Sequence, residues 1–180
     1  MQLYLDWLKT KIFLDYQSNN ASKRKVKRGN VYYCYLGRGV GSEEEKERPC
    51  VVLQRFDGNM NSPNTIVAPI THTSSTLDVV VPINTRYNQD SSILLDGNVL
   101  LGNIVTVSKA RLGDYITTLT TPEMKQVDIA LAKSLDIYKN IVKLENIAKD
   151  KDIYIGKLIE QRENLQRHLD ELINSKNENE

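Results

Sequence analysis

Apolar positions recur along this chain with two different periods, and the switches between them outline its organisation. Over residues 2–17 (QLYLDWLKTKIFLDYQ), Tyr4, Leu5, Leu8 and Ile12 fall at helical spacing and Trp7 widens the stripe, which predicts an amphipathic helix. A helix this short needs a packing partner to be stable. Residues 17–25 (QSNNASKRK) are polar and turn-rich, and read as a linker. Short apolar runs then take over: NVYYCYL at 30–36, PCVVLQ at 49–54, TIVAPI at 65–70, LDVVVPI at 77–83, SILL at 92–95, VLLGNIVTV at 99–107 and DYITTL at 114–119. They are rich in β-branched residues and separated by turn signals such as Asp57-Gly58-Asn59, Ser62-Pro63 and Asp96-Gly97-Asn98. Short strands at this spacing predict a compact, mostly antiparallel barrel. Gly102 inside the 99–107 run points to a bulge or a close backbone approach.

Helical spacing returns after residue 120. A short helix is expected over residues 108–112 (SKARL). A longer one starts at Thr121 as N-cap, with Pro122 at the first helical position and Glu123 at the positive helix end. Met124, Val127, Ala130, Leu131 and Leu135 form its apolar face. From about Tyr138 a heptad stripe runs through Ile141, Leu144, Ala148, Ile155, Leu158, Leu165, Leu169 and Leu172, with Lys151 and Arg162 interrupting the seam. Residues 150–156 (DKDIYIG) are the expected place for a kink. This helix either packs on the rest of the chain or forms an arm for oligomerisation or partner binding. The chain therefore reads as three parts: residues 1–25, an N-terminal helix and basic linker; residues 26–137, the barrel; residues 138–180, a long helical extension.

Charge narrows the picture. With 24 Lys and Arg against 23 Asp and Glu, the net charge of +1 announces no bulk nucleic-acid binder, so any such role rests on local patches. One patch is the run Lys23, Arg24, Lys25, Lys27 and Arg28, either a solvated linker or a rim that attracts phosphate. Cys34 and Cys50 lack metal spacing and read as buried thiols, so no metal site and no cofactor are expected. No stretch reaches transmembrane length, and charges interrupt the N-terminal apolar run, so a soluble cytoplasmic protein is expected.

Seven segments, taken in order, carry a stronger signal than any one alone. They are KRGNVYY at 27–33, VGSE at 40–43, RPCVVLQ at 48–54, NSPNTIVAPIT at 61–71, SILL at 92–95, LLGNIVTVSKARLGDYITTL at 100–119 and PEMKQVDIALAKSLDI at 122–137. The set resembles the MazF/PemK family of toxin endoribonucleases. The resemblance implies a mainly β fold with helices: an SH3-like small β-barrel of the CcdB/MazF type with a C-terminal helix, in a homodimer. Here an N-terminal helix and a long coiled-coil-like helix are added. It implies a metal-independent endoribonuclease of a toxin–antitoxin system that cuts single-stranded RNA by attack of the 2′-OH, with a cognate antitoxin as partner. Asn30 stands where the family has Asp. Gly102-Asn103-Ile104-Val105 replaces the family's Glu-Gln-Ile-Arg, removing two charges beside the expected groove.

Within that resemblance Arg48 and Thr71 match the catalytic pair. A guanidinium binds two phosphate oxygens at once but is a poor base, so Arg48 suits transition-state stabilisation. Its structural alternative is a surface ion pair with Glu43–Glu47. Thr71 can hydrogen-bond a phosphate oxygen, or be strand filler. His72 has a suitable pKa for a base, but alternation sends it to the face opposite Thr71, leaving it a rim residue. Gly41 and Ser42 lie in a glycine-rich loop able to close over RNA, and Gln54 and Asn103 offer amides to base edges. Arg28 belongs to the basic rim. The rival expectation is a non-catalytic binding module on the same fold, as in the CcdB branch, or an interaction protein using its helical arms.

Overall fold

The computed structural model of the chain describes residues 2–21, 23–73 and 75–177 and divides it into two units at Asp136/Ile137. The first unit begins with helices α1 (Gln2–Tyr16) and α2 (Ser18–Ala21). Strands β1 (Asn30–Gly37) and β2 (Lys46–Val52), helix α3 (Phe56–Asn61) and strand β3 (Asn64–Thr71) follow. Next come β4 (Val80–Pro82), β5 (Arg86–Tyr87), β6 (Ile93–Leu95) and β7 (Asn98–Leu100). A 3-10 turn at Leu101–Asn103 leads to β8 (Val105–Ser108), and another at Lys109–Arg111 leads to β9 (Leu112–Thr118) and helix α4 (Thr121–Ser134). Seven strands form an antiparallel sheet in the order β4-β7-β3-β2-β1-β9, with β8 also paired to β3; β5 and β6 form a separate ribbon. Among the described residues the ladder does not close into a ring, so the expected barrel is open between β4 and β9.

Alternation in β2 and β3 separates two cores. Val51, Ala68 and Ile70 point to one face and join Val31, Val99, Leu101 and the α4 residues Val127 and Ala130. Cys50, Val52 and Val67 point to the other and join Val26, Tyr32, Cys34, Val107 and Leu112. The first core is sealed by α4. Its N-cap is Thr120 rather than Thr121, because a capping box forms between Thr120 and Glu123 and moves Pro122 to the second helical position.

Other expectations are corrected by tertiary contacts. The 99–107 run is two strands, not one, because Gly102 lies in the 3-10 turn that buries Leu101. Residues 109–111 make a 3-10 turn rather than a helix, with the Ser108 side chain accepting from the Ala110 N–H. The turn expected near Asp57 is helix α3. Buried Asn59 anchors it by donating to the Gln54 carbonyl at 2.8 Å and accepting from Thr65 at 2.8 Å, and the buried Lys109 ammonium donates to the Asn59 carbonyl. On α1 the predicted stripe is not the docked one: Leu14 is buried and Trp7 half-buried, while Leu5, Leu8 and Ile12 are exposed.

The second unit is the single helix α5 (Tyr138–Asn177), about 60 Å long at the usual rise. It continues through residues 150–156 without the expected break, Gly156 included. Leu144, Leu158, Leu165, Leu169 and Leu172 of the heptad stripe are exposed. No helix among the described residues is long and apolar enough to cross a membrane.

The Glu123 carboxylate ties α4 to the β4–β5 connection. Arg86 donates to it at 2.5 Å and 3.0 Å, and the Asn84 N–H at 2.9 Å. Burial opposes its ionisation, but the hydrogen bonds from Arg86, Thr120 and Asn84 outweigh burial and hold its pKa at about 2. A depressed acid stabilises the fold above its unfolded pKa, near 4.5, and loses that contribution as pH falls toward 2. Glu123→Gln is therefore expected to lower stability at neutral pH by about 3 kcal/mol. Urea unfolding across pH 7 to 2 should show the two proteins converging below pH 4.5.

Candidate active site

The second core does not extend over the whole sheet face. Beyond Cys34 and Val107 the face opens into a cavity of about 790 Å³. One wall is the end of β1 and the β1–β2 loop, with Leu36, Arg38, Ser42, Glu43 and Glu44. The other is the turn and strand after β7, with Gly102, Asn103, Val105, Thr106 and Ser108, and Arg111 also lines the cavity.

Register assigns Arg48 and Thr71 to this sheet face, although neither is among the residues that line the cavity. Cys34 is the cross-strand partner of Arg48, and Thr71 is the partner of Asn98. Between β2 and β3 the pairs are Val52 with Val67, Val51 with Ala68 and Cys50 with Pro69. The ladder stops there, beside two prolines, Pro49 and Pro69, that have no N–H to donate. Continued by two residues, the same register sets Arg48 opposite Thr71. Cys34 and Arg48 pair across β1 and β2, Thr71 and Asn98 pair across β3 and β7, and ladder parity assigns this row of four to the face of the second core.

Within the row the side chains have defined partners. Arg48 Nε donates to the Glu45 carbonyl at 2.9 Å and lies 2.9 Å from Glu44 Oε2. This is the ion pair foreseen with the acidic run, and its shortest contact is at Nε. No hydrogen bond to the terminal nitrogens of Arg48 is formed among the described residues, so its two-pronged end is available to an anion. Thr71 is 8% exposed and its Oγ1 lies 3.4 Å from Thr73 Oγ1. The Cys50 thiol is raised well above its ordinary pKa by its hydrogen bond with Cys34 and by burial, so Cys50 is un-ionised at neutral pH.

The other sequence candidates are divided. Ser42 and Asn103 line opposite walls of the cavity, and Gly41 lies in the same loop at φ +62°. His72 is exposed, on the opposite side from buried Thr71, and hydrogen-bonds Asp96 at 2.6 Å. Gln54 lies against Gly58 of α3. Arg28 donates to the Leu53 carbonyl and to Asp128 of α4. The structure does not bring these last three to the cavity.

Arg38 and the acidic triplet Glu43-Glu44-Glu45 were not singled out by sequence as a unit. Arg38 pairs with Glu45 at 2.9 Å, and the Val40 N–H donates to Glu43 at 3.0 Å. The available signal was three adjacent carboxylates between two arginines in one loop.

A family model described as PemK-like, MazF-like toxin of type II toxin–antitoxin systems matches residues 27–135. Endoribonuclease EndoA of Bacillus subtilis (strain 168) is 42% identical over 115 residues, covering 61% of this chain and 94% of that protein. A solved endoribonuclease from a Mycobacterial species, in complex with its cognate antitoxin, is 28% identical with a TM-score of 0.53, covering 62% of this chain and 96% of its own. MazF (Form-I) from Deinococcus radiodurans superposes with a TM-score of 0.55 at 16% identity over 63% of this chain and 98% of its own, a likeness of fold alone.

The row depends on a glycine. Gly97 has φ +112°, and a Cβ there would lie 2.5 Å from the Thr71 carbonyl oxygen. Gly97→Ala is expected to destabilise the fold by about 3 kcal/mol. Gly102→Ala, whose Cβ would meet nothing closer than Val79 at 3.8 Å, is expected to change stability by less than about 1 kcal/mol. Denaturant melts of the two variants beside wild type check both figures.

Proposed function

The chain belongs to the PemK-like, MazF-like family of toxins of type II toxin–antitoxin systems, and we propose that it is a metal-independent endoribonuclease that cuts single-stranded RNA in the cavity beside Arg48. The observation that carries this reading is that Arg48 and Thr71 share one parity of the β2–β3 register, with the terminal nitrogens of Arg48 free of hydrogen bonds among the described residues. The likeness to Endoribonuclease EndoA supports it and favours a nuclease over a non-catalytic binding module.

In this reading the substrate supplies its own nucleophile. The ribose 2′-OH attacks the adjacent phosphorus, the bond to the 5′-oxygen breaks, and the products are a 2′,3′-cyclic phosphate and a 5′-hydroxyl. Arg48 binds the non-bridging oxygens as charge builds in the transition state, and its fixed Nε edge sets the direction of the fork. The Thr71 hydroxyl donates to one of those oxygens after a small rotation from Thr73. Ser42 and Asn103 face bases across the cavity, and Asn103 offers both donor and acceptor to a base edge. With Gly102 and Val105 in place of charged residues, this wall selects by hydrogen bonding and shape.

The partners follow from the family: a cognate antitoxin that neutralises the nuclease, and a second copy of the chain in a homodimer. We place the protein in the cytoplasm, where its RNA substrate is found.

Arg48→Ala is expected to lower the cleavage rate of a long single-stranded RNA by about 100-fold or more, with Arg48→Lys in between. Wild-type cleavage should persist in EDTA. Mapped product ends and single-turnover rates provide the check. Intact RNA after incubation with folded, antitoxin-free wild type, or equal rates for wild type and Arg48→Ala, would refute the proposal.

A further inference from the structure

We infer that α1, which lies outside the family match, is a positioning element of the RNA groove, with Tyr4 and Trp7 fixing the loop that holds Arg48; this rests on the endoribonuclease reading. The contacts form a continuous chain. The Trp7 indole sits against Gly37 at the end of β1, so closely that a Cβ there would lie 2.5 Å from its Cζ2. Arg111 stacks 5.2 Å from the centre of the same indole and donates to the Leu36 carbonyl at 2.9 Å. One helical turn before Trp7, the Tyr4 ring lies 5.4 Å from the Arg38 guanidinium. Arg38 donates to Glu45 at 2.9 Å, and the Gly39 N–H donates to the other oxygen of that carboxylate at 3.3 Å. The Glu45 carbonyl then accepts from Arg48 Nε. Three contacts therefore lead from the helix to the proposed catalytic group: Tyr4 to Arg38, Arg38 to Glu45, and Glu45 to Arg48.

The segment between these contacts is bounded by two residues in left-handed backbone conformations. Its ends, Gly37 at φ +99° and Lys46 at φ +68°, are cross-strand partners at an irregular point of the β1–β2 ladder. Lys46 is not glycine, so it holds a conformation that L residues rarely adopt. Both are element-terminal positions, where the φ/ψ change of a hinge can be absorbed. Tyr4 and Trp7 act on the hinged loop from outside it, and the loop holds Arg48 through Nε. Displacement of the loop rotates the guanidinium away from the phosphate, so the helix governs the chemical step more than RNA affinity.

Trypsin and RNA cleavage, measured on the full chain, test this together. Trypsin cuts after Arg38 and Lys46 report loop opening without reference to activity. Tyr4 is 60% exposed, so Tyr4→Ala is compatible with an intact fold. It is expected to speed both cuts about two- to fivefold, the value of one exposed cation–π contact. It should lower kcat by up to the same two- to fivefold, with KM within about twofold. Trp7→Ala should exceed both effects, and Tyr4→Phe, which keeps the ring face, should match wild type. Unchanged trypsin rates in Tyr4→Ala, faster trypsin cuts with unchanged kcat, or a rise in KM alone would overturn the inference. A wild-type chain that cuts no RNA would instead sink the endoribonuclease reading, while the trypsin rates still decide whether the helix holds the loop.

Discussion

The register between β2 and β3 is the constraint on which the rest depends. With Cys50 opposite Pro69 and Val52 opposite Val67, one parity of residues feeds the core under α4 and the other feeds the second core and the cavity beyond it. A slip of one residue would send Arg48 toward the wrong face and turn Val51 away from α4. Burial of Val51, Val52, Val67 and Ala68, each fully enclosed, makes such a slip costly. Hydrophobic packing on both faces thus fixes where a charged side chain stands at the open end of the sheet.

At that open end the problem becomes electrostatic. The whole chain carries a net charge of only +1, so the site does not depend on a broad positive field. Instead, the carboxylates of Glu44 and Glu45 partner Arg48 and Arg38 within one loop. This limits the cost of holding two half-buried cations close together. It leaves direction intact, because Glu44 and the Glu45 carbonyl meet Arg48 at Nε. The same loop meets α1 through the Arg38 guanidinium over the Tyr4 ring, a cation–π contact.

How much of this was legible in the sequence varies by physical origin. Most strands were readable because each is a local run with turn chemistry at its ends; the two-residue β5, Arg86–Tyr87, was not. The family's ordered segments pointed to Arg48 and Thr71, yet the β2–β3 register that relates them is set by tertiary pairing of Cys50 with Pro69 and Val52 with Val67. The division of 99–107 into two strands was not readable, since burial of Leu101 decides it. Nor was helix α3, where local turn signals yield to anchoring by Asn59 and Lys109. The docked face of α1 could not be chosen by periodicity, because Leu3, Tyr4, Leu5, Trp7, Leu8, Ile12, Phe13 and Leu14 make the helix apolar on nearly every side. Its aromatic contacts with Arg38 and Arg111 have no sequence signature.

The central claim is that Arg48 stabilises a phosphate attacked by its own neighbouring 2′-hydroxyl. The most direct measurement takes an oligoribonucleotide containing one mapped cleavage position and replaces that single ribose with 2′-deoxyribose, then follows cutting and end groups in EDTA. The account predicts a 2′,3′-cyclic phosphate and a 5′-hydroxyl from the parent RNA, and no cut at the substituted position even though the oligonucleotide still binds. Cleavage at the deoxy position, or products ending in a 3′-hydroxyl and a 5′-phosphate, would contradict it.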